Sequence, residues 1–151
     1  MKKVRLLIVD DHELMRMALQ NVIQLEDAFE IVGEAKDGRE AMEMVPICQP
    51  DVILMDLRMP DVDGITACRK IHSRFPEIKI LVLTAYETDE DIFGSIQAGA
   101  SGYLLKDASP EELINAIRTV FEGKSILHPC IARKVLDKLS LPFEQPLQDE
   151  P

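Results

Sequence analysis

The sequence predicts an α/β domain, a parallel five-stranded sheet with helices on both faces. Two observations predict it. Between Val4 and Phe121, short apolar runs alternate five times with segments of helical periodicity. The runs for strands 1, 3, 4 and 5 end on polar or charged residues, Asp10-Asp11, Asp56, Thr84 and Lys106. Open α/β sheets place their chemistry at that carboxyl edge.

Val4 to Val9 is rich in Val, Leu and Ile and reads as a buried strand ending at Asp10-Asp11. His12 to about Leu25 is helical, with Leu14, Ala18, Leu19, Val22 and Ile23 expected on one face. Glu30 to Ala35 is a short second strand. Asp37 and Glu40 have the spacing of an N-cap and its N3 acid, so a helix runs from there to about Cys48, and Pro50 breaks the chain. Val52 to Met55 is the central strand, inside the stretch Asp51-Val-Ile-Leu-Met-Asp56-Leu-Arg-Met-Pro60-Asp-Val-Asp-Gly64. The next helix carries Ile65, Cys68 and Ile71 and stops before Pro76. Ile78 to Leu83 is the fourth strand, ending at Thr84. Thr88 caps a short helix to about Ala98, and Tyr103 to Leu105 is the fifth strand, ending at Lys106. Ser109, Pro110 and Glu112 stand at N-cap, N1 and N3 of the last helix. That helix should bury Leu113, Ile114, Ile117, Val120 and Phe121, and Gly123 terminates it.

Five strands in roughly 120 residues suit the flavodoxin-like, doubly wound order 2-1-3-4-5, in which strands 1 and 3 flank the switch point. Asp10, Asp11 and Asp56 then fall into one cluster. The expected organisation is a domain over 1–123, a linker helix over 124–140 and a flexible linker over 141–151. Ile131, Val135, Leu136 and Leu139 should share a face of the linker helix, and three prolines punctuate the end.

Composition narrows the function. A net charge of -10 argues against direct binding to nucleic acid or an acidic membrane, since phosphate backbones demand Lys and Arg. The three cysteines, Cys48, Cys68 and Cys130, have neither disulfide nor zinc spacing and read as reduced packing residues. His12, His72 and His128 are scattered and read as surface or packing residues. The apolar run after Met1-Lys2-Lys3 is too short for a signal peptide, and nothing approaches the ~20 apolar residues of a membrane span. A cytoplasmic protein is expected.

Three clustered carboxylates repel one another unless a cation offsets them. All-oxygen ligands favour a hard cation, and a small one that keeps several waters is Mg²⁺. Lys106 adds an ammonium and Thr84 a hydroxyl. Together these suit a phosphoryl group in transfer, and the central carboxylate, Asp56, suits a nucleophile that becomes an aspartyl phosphate.

On the motifs Leu6-Leu-Ile-Val-Asp10-Asp11-His12, the Asp51–Gly64 stretch, Leu81-Val-Leu-Thr84-Ala and Gly102-Tyr103-Leu-Leu-Lys106-Asp, the chain resembles a bacterial response-regulator receiver domain over residues 1 to about 123, with its CheY-like fold. The resemblance implies a phospho-acceptor at Asp56. It implies Mg²⁺ held by Asp10, Asp11, Asp56 and the main-chain carbonyl of Arg58. It implies phosphoryl contact by Thr84 and Lys106, and a switching aromatic at Tyr103. Gly99 to Leu113 and Ala116 to Lys124 are similar to the NarL/LuxR-type regulators, which carry a helix-turn-helix DNA-binding domain after a linker. No helix-turn-helix signal lies in these residues, so a receiver fragment of a longer regulator is expected, with DNA contact only through an absent C-terminal domain.

The implied partners are a sensor histidine kinase and, on phosphorylation, a second copy in a homodimer. The dimer face lies near Tyr103 and the Ser109–Glu122 helix, or on the first and fifth helices. The protein is then no enzyme in the usual sense but a phospho-acceptor that assists its own phosphorylation and dephosphorylation. Arg58 and Tyr86, each two residues past a site residue, are candidates for tuning phosphoryl lifetime. The alternative is a stand-alone phosphorelay receiver without DNA output. A phosphatase with an aspartate nucleophile would want an acid where Arg58 stands, and a flavin carrier would want a phosphate-cradling loop where Asp10-Asp11-His12-Glu13 stands.

Overall fold

A computed structural model of the chain describes residues 2–86, 88–127 and 129–149, with 140–149 as backbone alone. The elements run β1 (Val4–Val9), α1 (Glu13–Ile23), β2 (Phe29–Ala35), α2 (Gly38–Cys48), β3 (Val52–Met55), α3 (Gly64–Arg74), β4 (Lys79–Thr84), α4 (Asp89–Gln97), β5 (Gly102–Leu105), α5 (Pro110–Phe121), β6 (Ile126–Leu127) and α6 (Pro129–Asp149). The sheet is parallel, in the order β2-β1-β3-β4-β5-β6. The expected 2-1-3-4-5 order is present, extended at one edge by β6. That two-residue strand is too short to show periodicity in the sequence. It pairs with Gly102 and Tyr103, and a Cβ on Gly102 would stand 2.9 Å from the Ile126 carbonyl oxygen, so a side chain there would push β6 away.

Side chains alternate across the sheet with period 2. Leu6, Ile8, Val52, Leu54, Leu81 and Leu83 face α1 and α5 and meet Leu19, Ile23, Leu113, Ile117 and Val120. Leu7, Val9, Ile53, Met55 and Ile80 face the other way, onto Ala41 and Val45 of α2 and Ala67, Cys68 and Ile71 of α3. Burial on both faces is why these strands read as unbroken apolar runs. A third cluster joins Leu57, Val82, Ile92, Tyr103 and Ile131, bringing α6 against α4 and β5.

The expected caps at Asp37, Thr88 and Ser109 form, and Asp63 caps α3 in the same way. Asp37, Asp63, Thr88 and Ser109 each accept a hydrogen bond from the backbone N–H three residues on, and Glu112 closes a full capping box at α5.

Some faces differ from expectation. Leu14 and Ala18 of α1 are exposed, and Met15 packs inward with Leu19, Val22 and Ile23. Phe121 at the end of α5 is exposed, and Ala116 takes the inward position. On α6, Ile131 is fully buried and Val135 packs beside it, while Leu136 and Leu139 are exposed. In each case the apolar residues outnumber the positions the helix buries, and periodicity alone does not choose among neighbours.

The backbone of α6 continues to Asp149, across residues read as extended linker, while 150 and 151 lie outside the described residues. Pro142 and Pro146 are four apart, so their missing N–H donors fall on one side of the helix, among helix-favouring Leu, Glu and Gln. No described helix is long and apolar enough to cross a membrane.

Candidate functional site

Backbone pairing runs one residue past the central strands. Asp56 N–H donates to the Val9 carbonyl (2.9 Å) and Lys106 N–H to the Thr84 carbonyl (2.8 Å). Asp56 is thereby set beside Asp10, and Lys106 beside Thr84, at the carboxyl edge. The β3–α3 loop folds back over this edge. Gly64 N–H donates to the Leu57 carbonyl (2.8 Å) and Asp61 takes the left-handed conformation at φ 65°. A Cβ on Gly64 would overlap the Asp56 carbonyl oxygen, so the close return of the loop requires glycine.

Asp10 and Asp56 are buried, at 2% and 4% exposure, and Thr84 fully so. Lys106 Nζ reaches both carboxylates, 2.8 Å from Asp10 Oδ2 and 3.3 Å from Asp56 Oδ2. Asp56 Oδ1 accepts from the Leu57 N–H (2.9 Å). Burial pushes the Asp56 carboxyl above its usual pKa. Lys106 opposes that rise and the Asp10 charge adds to it. Burial alone would lower Lys106, but its short Asp10 contact and the charges of Asp56 and Asp10 outweigh it, and its pKa lies above the usual value. The net penalty on the Asp56 anion is chiefly the cost of its burial, which the Lys106 ammonium offsets only in part, with the Asp10 charge adding to it.

Asp11 is more open, yet its Oδ1 is a buried oxygen with no hydrogen-bond donor. It lies 3.1 Å from His12 Nδ1, outside hydrogen-bonding alignment. Ligand atoms of Asp10, Asp11, His12 and Asp56 all lie within 4.8 Å of one another, so this group has the closeness to hold a metal ion. The orphaned oxygen and the carboxylate-rich donor set fit a hard divalent cation.

Thr84 and Tyr103 are both tied to Tyr86. Thr84 Oγ1 accepts from the Tyr86 N–H (3.4 Å), and the buried Tyr103 hydroxyl donates to the Tyr86 carbonyl (2.6 Å). The Arg58 guanidinium lies 4.2 Å from the Tyr86 ring centre and pairs with Asp91 of α4 at 2.8 Å. That pair raises the Arg58 pKa. Arg58 and Asp91 line a cleft of about 610 Å³ that reaches Asp11.

Sequence reasoning missed two residues. Asp91 carries no local signal, since its partner lies 33 residues away. His12, read as a surface or packing residue, has its ring nitrogen 3.2 and 3.1 Å from Asp10 and Asp11, and its adjacency to the acid pair was the available signal. The three cysteines are not joined in disulfides. Cys68 is buried, with its thiol pushed up to about 12 by burial, whereas Cys130 is exposed on α6 rather than packed.

The family model for the response regulator receiver domain matches residues 6–118. The chain belongs to this family. Among curated relatives, the receiver is 37% identical over 134 residues to the transcriptional regulatory protein DegU of Brevibacillus brevis, covering 89% of this chain and 57% of that one. It is 41% identical over 136 residues to the DNA-binding transcriptional activator DevR/DosR of Mycobacterium tuberculosis (strain ATCC 25618 / H37Rv), covering 90% and 63%. The chain thus spans about three fifths of the length of these relatives. Among solved structures, it is similar to a two-component response regulator of the LuxR family from Aurantimonas sp. SI85-9A1, with a TM-score of 0.85, 31% identity and coverage of 91% and 98%. It is also similar to the signal receiver domain of a response regulator, NarL, from Mycobacterium tuberculosis, with a TM-score of 0.79, 33% identity and coverage of 82% and 100%. The receiver is of the NarL/LuxR type.

Proposed function

We propose that this receiver accepts a phosphoryl group on Asp56 from a sensor histidine kinase and passes the signal to a transcriptional output domain. The observation that carries this reading is the buried Asp56 carboxylate at the end of β3, paired to Lys106 and crowded by Asp10 and Asp11. A carboxylate oxygen of Asp56 attacks phosphorus, a P–O bond forms, and the bond from phosphorus to the donor breaks with its electron pair leaving on the donor. Water later reverses the modification by hydrolysis.

Asp10, Asp11, Asp56 and the main-chain carbonyl of Arg58 would hold Mg²⁺. When bound, it supplies charge neutralisation for the phosphoryl oxygens. Lys106 moves from pairing carboxylates to pairing the new phosphoryl group, and the Thr84 hydroxyl turns from Tyr86 to donate to it. Tyr86 links that turn to Tyr103, which shares an apolar cluster with Ile92 of α4 and Ile131 of α6. A local change of charge is thus coupled to the α4–β5–α6 surface, where a homodimer or an output domain responds. Arg58, held over Tyr86 by Asp91, flanks the approach of hydrolytic water and lengthens phosphoryl lifetime. DNA contact belongs to a helix-turn-helix domain outside these residues, consistent with the net charge of -10. The protein works in the cytoplasm.

The test is intact mass after incubation with a small acyl-phosphate donor, with Mg²⁺, with chelator, and on Asp56→Asn. The expected result is a Mg²⁺-dependent gain of one phosphoryl group that the variant lacks. A gain that survives in Asp56→Asn overturns the assignment of the acceptor.

A further inference from the structure

His12 stands at the N-cap of α1, but its side chain makes no capping hydrogen bond. The imidazole is turned onto the acid pair instead, with Nδ1 3.2 Å from Asp10 Oδ1 and 3.1 Å from Asp11 Oδ1. Asp10 Oδ1 is within hydrogen-bonding reach of that ring nitrogen, but Asp10 does not depend on it alone. Its Oδ1 already accepts the His12 backbone N–H (2.9 Å), and its Oδ2 meets Lys106 Nζ at 2.8 Å. Asp11 Oδ1 gains no aligned hydrogen bond from the ring and stays unsatisfied.

The spacing has another reading. Neighbouring ligands of an octahedral divalent cation, bound at about 2.1 Å, lie about 3.0 Å apart. The Asp10–His12 and Asp11–His12 separations match that edge within a few tenths of an ångström, and Asp56 lies within the same 4.8 Å group. An imidazole adds little for Mg²⁺, which prefers oxygen and water. It adds much for Mn²⁺, Co²⁺ and Ni²⁺, whose affinity for nitrogen rises in that order.

We infer that His12 is a metal ligand that turns the acidic cluster into a mixed nitrogen–oxygen site, one that takes borderline first-row divalent cations in preference to Mg²⁺. The inference rests on the Mg²⁺ site proposed above and adds a ligand and a selectivity to it. His12 is largely exposed, with 69% of its side chain open to solvent, so replacing it leaves the fold intact.

The experiment is calorimetric titration of the full chain with MgCl₂, NiCl₂ and CoCl₂, on the wild type, His12→Ala, Asp11→Asn and, as a control for binding elsewhere, His72→Ala. His12→Ala is expected to weaken Ni²⁺ and Co²⁺ about tenfold or more while Mg²⁺ stays within about twofold. Asp11→Asn should weaken all three, and His72→Ala none. In parallel, the spin-echo spectrum of bound Mn²⁺ should carry a nitrogen coupling that His12→Ala removes. An unchanged ratio of Ni²⁺ to Mg²⁺ affinity in His12→Ala, or the same nitrogen coupling in both proteins, overturns the inference and leaves the Mg²⁺ site standing. His12-dependent Ni²⁺ binding in a wild type that binds no Mg²⁺ overturns the Mg²⁺ reading instead and supports this one.

Discussion

Replacing Lys106 with Met keeps the apolar stem and removes the one ammonium that touches the buried carboxylates. At an effective dielectric near 20, unit charges at the observed 2.8 and 3.3 Å attract by about 6 and 5 kcal/mol. Most of this is offset by the cost of taking the ammonium out of water, and stranding the partner of a buried pair costs about 3–5 kcal/mol net. Lys106 keeps 19% of its side chain exposed, and Asp56 can escape part of the penalty by protonating, so the expected loss is about 2–3 kcal/mol at pH 7. For a chain of this size that is a fall in Tm of about 6–9 °C. Because Asp56 is one of the two stranded anions, the loss should shrink as pH falls through its raised pKa and it becomes neutral. Wild-type Lys106, with its pKa raised, keeps its own stabilising effect below the ordinary lysine value and loses it only in strong alkali. Saturating Mg²⁺ should restore the variant more than it raises the wild type; at a hundred times Kd the linkage is worth about 2.7 kcal/mol. The assay is thermal unfolding by circular dichroism at pH 4 and pH 7, with chelator and with Mg²⁺. A fall below about 2 °C at pH 7, or an equal fall at pH 4, would refute the charge argument and assign the effect to packing of the stem.

Asp56→Asn should raise Tm in chelator by about 2 °C or more at pH 7, because the raised pKa means that folding disfavours the anion; the gain should vanish in acid, and thermal melts across pH check it. Tyr103→Phe loses the hydrogen bond to the Tyr86 carbonyl, worth about 1 kcal/mol, and should speed amide hydrogen exchange around Tyr86 with little change in β1 and β3. Ile131→Ala empties a fully buried site and should cost about 2–4 kcal/mol of α6 docking, seen as faster exchange over residues 129–139 while the five-stranded core stays protected. Arg58→Ala should shorten the half-life of the phosphorylated protein several-fold, read by intact mass after donor removal; an unchanged half-life removes Arg58 and its Asp91 tether from any such role.

Asp10, Asp56, Thr84 and Lys106 were legible because each closes an apolar run, and a parallel sheet puts all such ends on one edge. The caps at Asp37, Thr88 and Ser109 were legible for a similar reason, since an N-cap and its N3 donor lie within one turn. These are short-range or topological constraints, and alternation with composition expresses them directly. Fold class, strand order and the placement of these residues at the carboxyl edge were therefore determined by the sequence itself.

The tertiary structure decided the matters that depend on distance. It chose Met15 over Leu14 and Ala116 over Phe121, because an apolar stripe wider than its contact leaves the choice to the neighbouring element. It paired Arg58 with Asp91, brought Ile131 into one cluster with Ile92 and Tyr103 and added β6 at the sheet edge. It also turned His12 from a scattered histidine into a neighbour of the acid pair Asp10 and Asp11. The physical reason is common to all of these. Side-chain orientation and long-range contact are set by packing across the fold, and a periodic pattern read along the chain carries no information about which distant surface arrives opposite it.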